Sequence, residues 1–421
     1  MVKSLSGIIV FLTAFGVLAL QIDDELNPAA SQWVEKVNSA EESEAYLFLM
    51  GIFAKKSEDP IQVGRAIYQS IREGEERYLS KKSPFNYTDY PQEERINLPE
   101  GDLLCVVWEE GCLKTIFQDL QKIQTALKDH AMLLERYHEF IKKGEYRTLA
   151  RPMITEPIPP FQYLLAGHRL NSMSAIINAS NGNAEVAVKS LYSNITRLRG
   201  ALVHQDTLLG KMFVLMMLSE NLDVISILTE RYKLDGLDEI RPISKEERDF
   251  ELPMAREFSM SYNFLRDLDR NPELWEVGGE APGWVVRVFF KPNMSINAVY
   301  PGYDNVAKAS QLSQKEFAGY VENKSHLSVP KESLRNYIGS VINRTEGATM
   351  IKYVGYFYDI NCKIALLNSL LATKNGKKGL FDAVNPYGTT DKPVVHENGD
   401  KLCFDGPLPD ERNLRCLTIK I

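Results

Sequence analysis

The sequence predicts a mainly α protein: antiparallel helical hairpins in an irregular, weakly tetratricopeptide-like array, closed by a small C-terminal β-hairpin tail. Three observations predict it. Apolar residues recur three and four apart over long stretches, as at Ile116, Leu120, Ile123 and Leu127, which marks one face of a helix. Tight turns such as Asn181-Gly182-Asn183 join such stretches, so neighbouring helices run antiparallel. The end of the chain instead clusters β-formers, at Val394-Val395 and residues 401–404 and 415–419, with Asn398-Gly399 as a hairpin turn.

Taken in order, the first region is residues 1–26. Residues 7–20 are an apolar run of 14 residues that follows Lys3 and stops at Asp23-Asp24-Glu25. A helix needs about 20 apolar residues to cross a bilayer, so the run is short for a span and fits the apolar core of a signal peptide. Val17-Leu18-Ala19 offers a small-residue cleavage site. Uncleaved, the run is an N-terminal anchor with the body outside. Both readings place the body beyond the cytoplasmic membrane. No other stretch is expected to reach membrane-spanning length.

Residues 27–150 form an N-terminal helical region. Helix is expected over 27–78, where Ala45, Leu47, Phe48, Leu49, Ile52 and Phe53 share a face and Asp59-Pro60 restarts the chain. The proline-bearing stretch 80–104 reads as loop, and 113–142 as one long amphipathic helix ended by Gly144. Residues 151–246 begin with a stiff connector (Pro152, Pro157, Pro159, Pro160) and hold the hairpin array. One helix spans 161–179. A second carries Ala184, Ala187, Val188, Leu191 and Ile195. A third opens at Asp206-Thr207, and a fourth starts near Leu222. There is no 34-residue period, so this is not a true repeat protein. Residues 247–375 are a mixed loop, with a short strand at 285–289, followed by helices at 305–318, 331–342 and 349–372. Residues 376–421 are the β-structured tail.

The chain has five cysteines. Cys105 and Cys112 flank Trp108 and Gly111, so a short closed loop is expected. Cys403 and Cys416 flank a Gly-Pro-Leu-Pro turn and can face each other across a hairpin, leaving Cys362 over. Spacing alone does not fix connectivity, and free buried thiols are the alternative for Cys362 and Cys403.

A net charge of −7 argues against a nucleic-acid partner, which needs basic surface to neutralise phosphates. It argues equally against adhesion to an anionic membrane surface. Membrane contact is expected only through residues 7–20, if they are retained. His130 and His138 lie about two helical turns apart, too far to chelate one ion unaided, and no standard metal spacing occurs, so neither metal nor cofactor is expected. A nucleophile elbow, a Walker loop and a dinucleotide fingerprint are all missing from the sequence. The one polar-rich stretch of the helical array runs from His204 through Asp206 to Lys211. With His168 and Arg169 on the preceding hairpin, these residues are candidates for one end of a groove. Asp206 also suits a helix N-cap, which needs no function.

Several segments also carry a resemblance. They are Asn27-Pro28, the run from Glu44 to Gly51, Asp59-Pro60 with Gly64-Arg65, and the Cys105/Cys112 pair. They continue with Leu133-Leu134-Glu135-Arg136-Tyr137, the stretch from Pro160-Phe161 to Arg169-Leu170, Asp206 to Met212, and Asn385-Pro386-Tyr387. Their order resembles an uncharacterised family of exported or N-terminally anchored proteins of Gram-negative proteobacteria. That family has no assigned activity. The resemblance implies the periplasmic side of the inner membrane, and it supplies no catalytic residue to carry over.

The expectation is therefore a periplasmic helical protein, soluble after cleavage or anchored. It acts without catalysis, through contacts with a protein or envelope component. The rivals are an envelope hydrolase with a site built from distant residues, and a binder of a small apolar ligand between helices.

Overall fold

The computed structural model describes residues 21–38, 42–80, 84–105, 111–270, 288–323, 333–343, 350–374, 379–396 and 398–420. The apolar run 7–20 lies outside them. The fold is mainly α, with one small antiparallel sheet near the C-terminus.

Capping chemistry divides the N-terminal region. Asn27 caps α1 (Pro28–Val37), Ser43 caps α2 (Glu44–Met50), and Asp59 caps α3 (Pro60–Leu79). Each side chain accepts a hydrogen bond from a backbone N–H that the helix leaves unpaired. The stretch 27–78, expected as helical with a restart at Asp59-Pro60, is three helices: the restart is there, and Ser43 adds a second break. α2 and α3 cross at backbone distance, because a Cβ on Gly64 would sit 1.8 Å from the Leu47 carbonyl oxygen. The expected helix 113–142 is also three: α4 (Cys112–Gln118), α5 (Leu120–Asp129) and α6 (Ala131–Phe140). Asp119 leaves helical geometry and its carboxylate accepts from Lys122 N at 2.9 Å. A capping residue outweighed an unbroken apolar stripe there.

The centre is α7 (Phe161–Ser180), α8 (Ala184–His204) and α9 (Leu208–Tyr232). Gly182 makes the α7–α8 turn at φ 87, a left-handed geometry that suits glycine. α9 is one helix where two were expected. Its polar Ser219-Glu220-Asn221 stretch is buried within the helix rather than exposed in a turn. By length and composition α9 could cross a membrane, contrary to expectation, but 89% of its apolar window is buried inside the protein. It packs on α7 and α8, and on two helices later in the chain.

The region expected as mixed loop holds two long helices, α10 (Glu251–Arg270) and α11 (Pro292–Ala309). Pro253 and Pro292 stand in first turns, where a missing N–H costs nothing. The strand expected at 285–289 falls mostly outside the described residues, and 288–289 are helical. The helix expected at 305–318 is broken: α11 ends, and α12 (Gln314–Glu322) starts at a Ser313/Glu316 capping box. A short 3-10 turn (Leu334–Asn336) precedes α13 (Tyr337–Ile342), and α14 (Ile351–Lys374) follows. α1 packs against α10 and α11, and α14 against α9.

The tail forms β1 (Val394–Val395), β2 (Lys401–Cys403) and β3 (Cys416–Thr418) in order β1-β2-β3. Cys403 pairs Cys416 in register and joins it in a disulfide. The sheet docks through buried Leu402 and Leu417 and through charge. Asp223 of α9 accepts from Lys363 Nζ at 2.6 Å and from the Thr418 N–H at 2.9 Å. Asp359 of α14 accepts from Arg415 at 3.0 Å and from the Tyr387 hydroxyl at 2.7 Å.

Candidate functional site

Arg169 on α7 is the organising side chain of an interhelical cavity. Its Nε donates to Glu220 Oε1 on α9 at 2.9 Å, its Nη1 to the Leu103 carbonyl at 2.8 Å, and its Nη2 to the Cys105 carbonyl at 3.0 Å. Nη1 also lies 3.8 Å from the sulfurs of both Cys105 and Cys112, which are joined in a disulfide. Arg169 and Glu220 are buried, at 6% exposure each. Burial pushes the Glu220 carboxyl up, but Arg169 and His168 pull it further down, below the usual carboxylate range. It is a carboxylate at neutral pH.

This pair floors a cavity of about 240 Å³. The walls are Leu98, Leu104, Leu165, Ala166, Met216 and Met217, with Cys105 on the disulfide side and Gln162 exposed at the mouth. The lining is apolar except at the floor and the rim. Met216 and Glu220 also wall a second, water-sized cavity of about 20 Å³ on the other side, completed by Lys363 and by Lys401, Arg412 and Thr418 of the tail.

Behind the floor, the Tyr137 hydroxyl of α6 lies 2.9 Å from His168 Nδ1 of α7 and donates to Asn194 Oδ1 of α8 at 2.9 Å. His168 is fully buried. Burial drops its pKa to about 4, so the ring is neutral at pH 7. A neutral buried imidazole held by a tyrosine ties three helices together. Each such bond contributes about 1 kcal/mol.

The other expected groove residues lie elsewhere. Asp206 does not cap α9; Thr207 does, accepting from Gly210 N at 3.0 Å. Asp206 instead accepts from the Thr148 N–H at 2.7 Å and the Thr148 hydroxyl at 3.0 Å. Lys211 is 1% exposed. Its ammonium donates to the Leu202 carbonyl at 2.7 Å and the Glu247 carbonyl at 3.0 Å, between the Phe250 and Phe357 rings. Burial pulls its pKa down to about 7. His204 is half-buried at the end of α8. The structure therefore brings together His168 and Arg169, with Glu220, and gives Asp206 and Lys211 separate partners.

A further cavity, of about 450 Å³, opens between α1, α3 and α10. Tyr68, Glu75, Tyr262, Asn263 and residues 148–151 line it. Next to that wall Arg256 donates to Ala150 O at 2.8 Å and to Glu156 at 2.6 Å. Burial pushes Glu156 up to about 7, despite Arg256. Among the described residues no group of three His, Cys, Asp or Glu is placed to hold a metal ion.

Sequence reasoning missed Glu220. Its signal was present: Ser219, Glu220, Asn221 and Asp223 interrupt an otherwise apolar helix, and a buried carboxylate requires a partner. No protein-family model, curated protein or solved structure matches the chain.

Proposed function

We propose that the protein binds a small apolar molecule in the cavity between α7, α9 and the segment carrying Leu98, Leu104 and Cys105. One observation carries this reading: a mostly apolar interhelical cavity ends on a buried Arg169–Glu220 ion pair. Apolar walls with a few converging polar groups are the usual form of a small-ligand site. At about 240 Å³ the cavity lies below the ~300 Å³ where drug-sized pockets begin, so the ligand is compact. Its polar end is neutral, because a charged end meets both an arginine and a carboxylate at the floor. The cavity favours this reading over contacts with a protein or envelope component.

A neutral naphthylamine fluorophore tests it. The full chain should bind the probe saturably, and Leu165→Trp, which fills the cavity from its wall, should abolish binding with the thermal midpoint unchanged. Equal binding by Leu165→Trp, or no saturable binding at all, rejects the reading.

We also infer that the body works in an exported, oxidising compartment, the periplasm of a Gram-negative cell. Two disulfides favour such a compartment, and the apolar residues 7–20 supply the route. Membership of the proteobacterial family is part of the same proposal. Alkaline phosphatase fused after residue 26 should be active. An inactive fusion at normal abundance defeats this inference.

A further inference from the structure

We propose that Cys105–Cys112 is a thiol–disulfide exchange centre, reached through the cavity by a small apolar dithiol. The proposal rests on the same cavity as the ligand reading but not on which molecule occupies it.

Access is one-sided. Cys105 is half-buried and lines the cavity, whereas Cys112 is 4% exposed. An incoming thiolate therefore meets Cys105 Sγ first. Arg169 serves both sulfurs, with Nη1 3.8 Å from each. Its other bonds, to Glu220, Leu103 O and Cys105 O, hold the guanidinium in place before any reaction. A cation fixed beside a sulfur stabilises the thiolate, which is the reactive and the departing form. Glu220 faces the same guanidinium from α9, and its negative charge offsets part of this effect. Among the described residues, the other cavity walls, Leu98, Leu104, Leu165 and Met217 among them, carry no charge.

The exchange balances without another reactant. The first thiolate of the dithiol bonds to Cys105 Sγ, the Cys105–Cys112 bond breaks, and its electron pair goes to Cys112 Sγ beside Arg169. The second thiolate of the same molecule then attacks the substrate sulfur of that mixed disulfide. The pair returns to Cys105 Sγ, and the two thiol protons pass to the two cysteines. The dithiol leaves as a cyclic disulfide, and the protein holds two thiols.

The test uses the oxidised full chain and 1,2-benzenedimethanethiol, followed by alkylation and peptide mass analysis. Cys403–Cys416 is the reference within the same molecule. Cys105–Cys112 should open at least about threefold faster than the reference while circular dichroism stays native, because exchange rates follow thiol pKa with a Brønsted slope of about 0.5. Leu165→Trp should slow it. Opening no faster than the reference, or only as the protein unfolds, overturns the proposal. In the reduced protein, alkylation of these two cysteines should follow a thiol titrating at least a unit below the ordinary ~8.5. A midpoint at or above that value also overturns it. The double variant Arg169→Met/Glu220→Met should lose the advantage, whereas an unchanged pH–rate profile refutes the role of Arg169. Fast exchange without fluorophore binding retains this proposal and rejects the ligand reading; fluorophore binding without exchange does the reverse.

Discussion

Gly167 of α7 and Tyr137 of α6 touch backbone to side chain: a Cβ added to Gly167 would lie 2.6 Å from Tyr137 Cβ. The contact sets how deeply α7 settles on α6, and therefore where His168 meets the tyrosine hydroxyl. Gly167→Ala must push the helices apart. We expect a loss of about 1–3 kcal/mol, the usual cost of overpacking a core, read from urea unfolding. A change under 0.5 kcal/mol would show that the crossing relaxes freely.

The Arg169–Glu220 pair separates two costs. Removing one partner strands a buried charge, so Arg169→Met should destabilise by about 3–5 kcal/mol, whereas the double replacement Arg169→Met/Glu220→Met should recover only part of that loss, because the Leu103 and Cys105 carbonyls still lose the guanidinium. A double-mutant cycle measures both. Additive losses would mean the two charges do not compensate each other.

Lys211 predicts a stability that rises with alkali. Its folded pKa of about 7 lies below the ordinary lysine value, so between about pH 7 and 10.5 the unfolded chain holds the extra proton. Stability then increases with pH across that window. Lys211→Met should remove the slope and gain relative to wild type below pH 7, where the buried ammonium is charged. Parallel urea midpoints at pH 6 and 9 in the two proteins would contradict this.

Glu156 works in the opposite sense. Its carboxyl, raised to about 7 by burial, keeps a proton in the folded protein that the unfolded chain releases above about 4.5. Its contribution to stability is present in acid and is lost as pH rises through 7. Glu156→Gln should flatten this and help most at pH 8. Thermal midpoints of the two proteins that shift identically from pH 5 to 8 would refute the assignment.

What the sequence made legible follows the range of the physics involved. The α7–α8 hairpin was readable because Asn181-Gly182-Asn183 states its own turn. The β tail was readable from Asn398-Gly399 and the flanking β-formers. Both cysteine pairs were readable because each closes a short loop. Long helices were misjudged where periodicity and capping disagreed: Asp119 ends one helix inside an unbroken stripe, and Ser219-Glu220-Asn221 continues one that looked finished. Proline in a first turn hid α10 and α11. The site was half legible. His168 and Arg169 stood out as polar residues in an apolar helix. Glu220 did not, because its partner lies 51 residues away and only the packing of α7 on α9 shows the match. Asp206 and Lys211 share the polar character, but their carbonyl and hydroxyl partners belong to segments no local pattern connects.

The partition between the apolar cavity and the small polar one is a single helix thick. Its far side is sealed by chain 195 residues further along, where Thr418 reaches back to Asp223. The helical layer alone would leave Glu220 open to water from behind and weaken its hold on Arg169. A fragment ending before the sheet is therefore a poor stand-in for the whole chain in any assay of this site. The binding chamber should mature late in folding, after so distant a closure.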